Sequence, residues 1–175
     1  MNFYETKYKL NSKIKETLLQ QAISTNFKQF MSQNGTQTDL FVASTKGKQI
    51  VETNETRFLR SIINPKFDLT TVVFLKLMPN DTAEIHIDES PYRVTSLAWA
   101  LSPEIDKFAP ITYYKDDWNT VNEIKYYNDL GILLNNKTIH SVHNNNYVRI
   151  SVQLSFTNSI EELALADLND KLFVK

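Results

Sequence analysis

The chain has 175 residues but contains no cysteine and only three glycines and three histidines. Without cysteine it can form no disulfide, thiolate zinc site, iron–sulfur cluster or cysteine nucleophile. The glycines, at positions 35, 47 and 131, are too far apart for the glycine-rich loops that bring a backbone close to phosphate. Any metal site or histidine base must therefore use His86, His140 or His143.

Excess charge of one sign and long apolar runs are also missing. There are 19 basic and 20 acidic residues, so the net charge is −1. Nucleic acids and anionic membranes are bound by clustered Lys and Arg, so we expect neither as a partner. No apolar run has the length of a membrane span, and the N-terminus lacks the apolar core of a signal peptide. These features predict a soluble intracellular protein; the sequence carries no signal for its oligomeric state.

Apolar spacing predicts a helix over 12–31, with Ser12 as its N-cap and Asn34-Gly35 as its end. Later segments are short runs typical of strands. The predicted strands are 40–43, 48–52, 71–78, 82–88, 93–101, 109–114, 137–143 and 147–155. The three asparagines at 144–146 predict a hairpin turn between the last two strands. A second helix is expected at about 159–169, and 115–135 has no regular pattern.

Many short strands without long helical crossovers favour two packed antiparallel sheets. We therefore predict a mainly β fold with flanking helices, a jelly roll or double-stranded β-helix of the cupin type. The length suits one domain spanning 1–175. Within it we expect a helical N-terminal part over about 1–65, a jelly-roll core over about 66–156 and the C-terminal helix.

A candidate metal site lies in the segment TAEIHID. Alternation along a strand places His86 and Asp88 on one face. Two imidazoles and one carboxylate form the facial triad of non-haem Fe(II) oxygenases, which leaves coordination positions open for substrate and oxygen. The third ligand would be His140 or His143, which face opposite ways on an extended strand, so that only one of them would coordinate.

A second polar face is predicted on the strand 147–155, whose alternate residues are polar. They are Arg149, Ser151, Gln153 and Ser155. A polar face inside a fold is costly unless partners or a ligand satisfy it. The planar fork of an arginine donates two parallel hydrogen bonds to a carboxylate, and a hydroxyl two residues along the same face can donate another. Arg149 and Ser151 fit that description.

These segments resemble a known family, the 2-oxoglutarate and Fe(II)-dependent dioxygenases. LKLMPNDTAEIHIDE is similar to the segment in which an apolar strand, a turn usually written Pro-Gly and a second strand end in the metal-binding His and Asp. IHSVHNNNYVRIS resembles the distal signature, a metal-binding His followed by the Arg that holds the distal carboxylate of 2-oxoglutarate. RVTSLAWAL and ITYY resemble the central strands less specifically. The resemblance covers about 70–156, and it departs at Asn80, where glycine is usual; asparagine also takes a left-handed turn.

The resemblance implies a set of iron ligands and a co-substrate clamp. These are His86, Asp88 and His140 for Fe(II), and Arg149 with Ser151 for 2-oxoglutarate, with O2 as the oxidant. His140 precedes Arg149 by nine residues, near the family's separation, whereas His143 precedes it by six. The spacing therefore favours His140. The implied activity is oxidative decarboxylation of 2-oxoglutarate coupled to oxidation of a substrate, with no catalytic group beyond the metal ligands.

Three more residues are candidates for lining the pocket: Tyr113, Arg93 and Trp99. Each has an alternative, since Tyr113 and Trp99 could fill the core and Arg93 could form a cross-strand ion pair. The predicted activity is hydroxylation of an unknown substrate, with a small molecule or a peptidyl side chain favoured over a nucleobase. The alternatives are a cupin-type jelly roll without 2-oxoglutarate chemistry and a catalytically silent relative used for binding or assembly.

Overall fold

The structure, a computed structural model, describes residues 1–24, 28–31, 37–44, 54–115 and 121–174. The strands in these ranges are β1 Phe3–Lys9, β2 Lys28–Met31, β3 Gln37–Ser44, β4 Leu69–Leu77, β5 Thr82–His86, β6 Thr95–Ser102, β7 Ile111–Tyr114, β8 Val121–Ile124, β9 Leu130–Asn135, β10 His140–His143 and β11 Arg149–Phe156. The helices are α1 Ser12–Ser24, α2 Asn54–Ser61 and α3 Ile160–Leu168. None of these helices is long and apolar enough to cross a membrane.

The strands form two antiparallel sheets. The large sheet has the order β1-β9-β6-β11-β4-β3-β2, and the small sheet has the order β5-β10-β7-β8. From β4 to β7, and again from β8 to β11, strands that follow one another in sequence alternate between the sheets. This arrangement confirms the predicted mainly β jelly roll.

The large sheet is covered on both faces. Its outer face packs against the helices, with Trp99 and Val152 in one cluster with Leu18 of α1 and Leu163 of α3. Its inner face packs against the small sheet. The inner cluster contains Ala98, Ala100, Phe108, Ile111, Tyr113, Ile124, Tyr126, Ile132 and Leu134. Because side chains alternate along a strand, neighbouring residues of β6 belong to different clusters.

Most of the predicted strands are present. Those predicted at 40–43, 71–78, 82–88, 93–101, 109–114, 137–143 and 147–155 each overlap an observed strand. The C-terminal helix is α3, and the Ser159 side chain caps it by accepting a hydrogen bond from the Glu162 N–H (3.2 Å). The strand predicted at 48–52 and the Asn34-Gly35 helix end lie outside the described residues.

The first helix is shorter than predicted. It ends at Ser24, and Lys28–Met31 is a strand, with Lys28 opposite Leu40 of β3. Pairing with a neighbouring strand therefore overrides the helical spacing of the apolar residues. The cap also differs, because the side-chain oxygen of Asn11, and not that of Ser12, accepts a hydrogen bond from a helix N–H, that of Ile14 (2.9 Å).

The N-terminal part, predicted as helical over about 1–65 apart from strands at 40–43 and 48–52, contains more strand than expected. It contributes β1, β2 and β3 to the large sheet as well as α1 and α2. β1 pairs with β9, with Phe3 opposite Leu134. β8 and β9 both lie in 115–135, where the sequence shows no regular pattern. Leu130–Asn135 is a short, mostly apolar run, and periodicity alone does not distinguish a buried strand from a buried helical segment.

The predicted hairpin at 144–146 is wrong. β10 belongs to the small sheet and β11 to the large one, so the asparagines connect two sheets. The buried Asn144 holds this connection to the β4–β5 turn. Its side-chain amide donates to the carbonyls of Met78 (2.8 Å) and Tyr147 (2.8 Å), and its N–H donates to the carbonyl of Asp81 (2.8 Å). Two contacts to a distant turn, together with the local bond to Tyr147, therefore set the path of the chain.

Gly131 lies at a point of close packing in β9. A Cβ atom there would lie 2.9 Å from Leu97 Cδ1, Thr6 Oγ1 and Trp99 Cε2. We expect Gly131→Ala to lower the free energy of unfolding by about 1–3 kcal/mol, as overpacking of a core does. Urea denaturation measures this. Leu97→Val removes the contacting methyl, so the double variant should lose less than the sum of the two single changes. Simple additivity would contradict the steric explanation.

Candidate functional site

Three adjacent strands of the small sheet bring His86, His140 and Tyr113 side by side. His140 of β10 lies opposite His86 of β5 and opposite Tyr113 of β7. Residues opposite one another in an antiparallel pair project from the same face. The two histidine ring centroids are 4.4 Å apart, and those of His140 and Tyr113 are 5.4 Å apart. His143, by contrast, is exposed and lies opposite Thr82 at the far end of β10.

Both histidines present the same ring nitrogen. The Nδ1 atom of His86 lies 2.6 Å from the carbonyl oxygen of Glu84, and that of His140 lies 2.8 Å from the carbonyl oxygen of Thr138. A carbonyl only accepts, so each Nδ1 carries a hydrogen, and in the neutral tautomer that fits this contact the lone pair is on Nε2. Burial lowers the pKa of His140, which favours this neutral form. Metal-binding histidines are commonly oriented by such a second-nitrogen hydrogen bond.

Asp88 lies just past the end of β5. One carboxylate oxygen, Oδ1, is 3.9 Å from Nε2 of His86, and the other, Oδ2, is 3.5 Å from Nη2 of Arg93. Arg93 precedes β6, so its ion pair lies within the β5–β6 connection and is not a cross-strand pair. One oxygen of Asp88 thus faces the histidines while a cation lies beside the other.

These side chains have the donor atoms that suit a divalent ion. Two imidazole nitrogens and one carboxylate are the ligand set of a non-haem Fe(II) site. Within the described ranges, however, no three His, Asp or Glu side chains already have the spacing of a formed metal cluster. The arrangement is therefore a set of chemically suitable donors gathered around His86 and His140.

Arg149 lies on the facing sheet in an enclosed aromatic setting. It is 4% exposed, and its Nη1 donates to the carbonyl of Ala109 (3.1 Å). The guanidinium carbon lies 4.3 Å from the ring centre of Phe108 and 5.8 Å from that of Tyr126. Burial lowers the pKa of Arg149, but an arginine still remains charged. Among the described residues no carboxylate pairs with it, and a buried unpaired charge is costly. The surroundings therefore suit an anionic ligand.

Two buried tyrosines lie between Arg149 and the histidines. Tyr113 contacts the His140 ring and belongs to the same apolar cluster as Tyr126 and Phe108. Burial raises the pKa of Tyr113, and nearby Tyr126 and Asp88 add to the effect, so its hydroxyl stays protonated. Burial also raises the pKa of Tyr126, and the positive charge of Arg149 opposes this in part. No pattern in the sequence indicates a role for Tyr126 or Phe108, because only the tertiary structure places them beside Arg149.

The remaining predicted residues divide between the two faces of the large sheet. Ser151 is buried two residues beyond Arg149 on the inner face, opposite Ala100 of β6. Its neighbours Ile150 and Val152 face the helices, so the Ser151 side chain faces the small sheet. Trp99 is on the outer face, where its ring lies 6.2 Å from that of Tyr8 in an edge-on contact. Of the two alternatives for Trp99, the structure shows filling of the core and not lining of the pocket, because alternation along β6 turns its side chain towards the helices.

The sequence matches no family model and no curated protein. Its structure is similar to that of a prolyl hydroxylase from Trichoplax adhaerens in complex with a hypoxia inducible factor peptide, at a TM-score of 0.66 and 15% identity over 89% of this chain and 83% of that one. The structure is also similar to that of a Pseudomonas putida prolyl-4-hydroxylase, at a TM-score of 0.64 and 12% identity over 89% of this chain and 92% of that one.

A third similar structure is the epimerase SnoN from nogalamycin biosynthesis, in complex with Fe3+, alpha ketoglutarate and nogalamycin RO. It has a TM-score of 0.64 and 12% identity, over 89% of this chain and 78% of that one. At such identities the similarity is one of fold. The chain shares the fold of the 2-oxoglutarate and Fe(II)-dependent oxygenases, the superfamily that its motifs resemble.

Proposed function

We propose that the protein is an Fe(II) and 2-oxoglutarate-dependent oxygenase that hydroxylates a small molecule or a peptidyl side chain. The observation that carries the proposal is the buried Arg149, which has no carboxylate partner among the described residues. It lies on the large sheet, and the small sheet that packs against this sheet carries the two neighbouring histidines. A dicarboxylate that chelates a metal requires a cation to bind its free carboxylate and a set of protein ligands to bind the metal. Arg149 has the chemistry for the first role, and the histidines have the chemistry for the second.

In this proposal the metal would be held by His86, His140 and Asp88. Each histidine contributes Nε2, since its Nδ1 is engaged with a backbone carbonyl. Asp88 contributes the oxygen nearer to His86. Bound iron would supply the activation of O2 that couples decarboxylation of 2-oxoglutarate to oxidation of the substrate. The protein's own contribution is to bind, orient and shield the reactants.

Arg149 would bind the distal carboxylate of 2-oxoglutarate. Its Nη1 is fixed by the carbonyl of Ala109, which orients the remaining N–H groups. The hydroxyl of Ser151 lies on the same strand face and would donate a further hydrogen bond. Phe108 and Tyr126 cover the guanidinium and exclude water, which strengthens an ion pair formed there.

One observation favours a second candidate, a catalytically silent relative that binds a dicarboxylate without a metal. Asp88 already has a cationic partner in Arg93, 3.5 Å away, and a metal ion would have to compete with it. Such a protein would keep the anion site at Arg149 and lack affinity for Fe(II). The two candidates therefore differ in metal binding and agree in dicarboxylate binding.

An anaerobic titration with Fe(II) and 2-oxoglutarate tests the proposal. We expect a weak visible charge-transfer band that requires both components, and succinate formation once O2 is admitted. Glutarate is the matched control, because it has both carboxylates but lacks the 2-oxo group that chelation of the metal needs. It should therefore compete for Arg149 without giving the charge-transfer band. Dicarboxylate binding with no affinity for Fe(II) would contradict the oxygenase proposal and support the silent relative.

A further inference from the structure

The position of Asp88 is not set by a β-sheet. β5 ends at His86 and β6 begins at Thr95, so Asp88 lies in the connection that passes from the small sheet to the large one. The β9–β10 connection, residues 136–139, passes between the same two sheets. Something other than a strand ladder must hold the backbone of Asp88 beside His86.

The buried Asn136 fastens the two connections together by four hydrogen bonds. Its carbonyl accepts from the N–H of Asp88 (3.0 Å), and its own N–H donates to the carbonyl of Val94 (3.1 Å). Its side-chain amide donates to the carbonyl of Arg93 (3.2 Å) and to the hydroxyl of Ser96 (2.8 Å). Asn136 is only 4% exposed, and both hydrogens of its side-chain amide are donated to the β5–β6 connection and the start of β6.

The next residue, Lys137, fastens the connection from the solvent side. Its ammonium group donates to the carbonyl of Asp88 (2.7 Å) and to that of Ser90 (3.0 Å). A charged donor makes stronger hydrogen bonds than a neutral one. Within the described residues Lys137 forms no ion pair, so its ammonium group serves these two carbonyls. The same turn includes Thr138, whose carbonyl orients the ring of His140.

We propose that Asn136 and Lys137 are positioning residues for the metal site, which act by holding Asp88 at the edge of the histidine pair. The inference rests on the proposed function in one respect, that Asp88 is a metal ligand. Groups that orient a ligand typically contribute roughly 10–100-fold to metal affinity. Lys137 is exposed, so its contribution should be near the lower end of that range.

The first test needs no metal. Lys137→Ala removes two hydrogen bonds from the 88–90 segment, and we expect amide exchange of Asp88 and its neighbours to become several-fold faster in the metal-free protein. Lys13→Ala, at an exposed position on α1, is the matched control and should leave exchange there unchanged. If exchange at Asp88 in Lys137→Ala equals that of the wild type, the positioning role is wrong, whatever the protein catalyses.

The second test measures metal affinity. We expect Lys137→Ala to bind Fe(II) about tenfold more weakly than the wild type under anaerobic conditions. Lys137→Arg, which keeps a cationic donor, should recover most of the loss. The thermal midpoint of the metal-free variant should stay within about 2 °C of the wild type, because a surface substitution of this kind costs little stability. Faster exchange with unchanged affinity would refute the link to the metal. A wild type without Fe(II) affinity would refute the proposed function and this link together.

Discussion

Arg149→Met is expected to weaken 2-oxoglutarate binding by about 100-fold or more while changing Fe(II) affinity by less than about twofold. The reason is that Arg149 lies on the large sheet, whereas the proposed metal donors lie on or beside the small one. Methionine keeps the unbranched aliphatic part of the arginine side chain and has no charge, so it removes the ion while retaining an apolar side chain near Phe108 and Tyr126. Isothermal titration of the metal-free protein with Fe(II) measures the first affinity, and titration of the metal-loaded protein with 2-oxoglutarate measures the second.

Although Arg149→Met should weaken ligand binding, we do not expect it to lower the stability of the protein. Removing a buried charge that has no carboxylate partner in the part of the chain that the structure describes should not destabilise the ligand-free fold, and replacement by an apolar residue is often neutral or stabilising. We therefore expect the denaturation midpoint of Arg149→Met to equal or exceed that of the wild type. Arg149→Lys keeps the charge but loses the planar fork, and it should restore only part of the 2-oxoglutarate affinity. Equal losses of iron and 2-oxoglutarate binding would show that Arg149 is a structural residue.

His86→Ala and His140→Ala are expected to abolish the charge-transfer band and to weaken Fe(II) binding by more than about 100-fold, beyond the usual effect of residues that only orient ligands. Each change removes an Nε2 atom from a pair whose rings are 4.4 Å apart. His143→Ala is a matched control from the same strand. Because His143 is exposed at the other end of β10, its removal should change Fe(II) affinity by less than about twofold.

The comparison of these variants separates the roles of the three histidines. His86 is only half-buried, so its replacement is the less disruptive of the two ligand changes and guards against a loss that reflects misfolding. Circular dichroism of each metal-free variant establishes that the fold is intact. A band that persists in His86→Ala and His140→Ala, or one that disappears in His143→Ala, would contradict the assignment of ligands.

Much of the candidate site follows from local patterns in the sequence. The period-two alternation of a strand is a property of neighbouring residues, so it is enough to place Arg149 and Ser151 on one face. Sequence spacing also favours His140 over His143, and the strand register places His140, not His143, against His86. The turn before β5 behaves as expected too, with Asn80 at a positive φ of 64°.

Other features depend on contacts between distant segments. Alternation shows that Trp99 and Ala98 face opposite ways, but it cannot say which face meets the helices and which meets the small sheet. The asparagines at 144–146 have turn chemistry whether they close a hairpin or connect two sheets. β2 has helical spacing and becomes a strand because β3 lies beside it.

The sequence by itself determined the chemistry available to this protein: no thiols, no phosphate loop, three histidines, and strands that alternate polar with apolar residues. Only the tertiary structure decided how that chemistry is assembled. It joined His86 to His140, enclosed Arg149 between Phe108 and Tyr126, and tied Asp88 to Asn136. The physical reason is that side-chain direction is a local consequence of backbone geometry, whereas burial and partner choice arise only when segments far apart in the chain pack together.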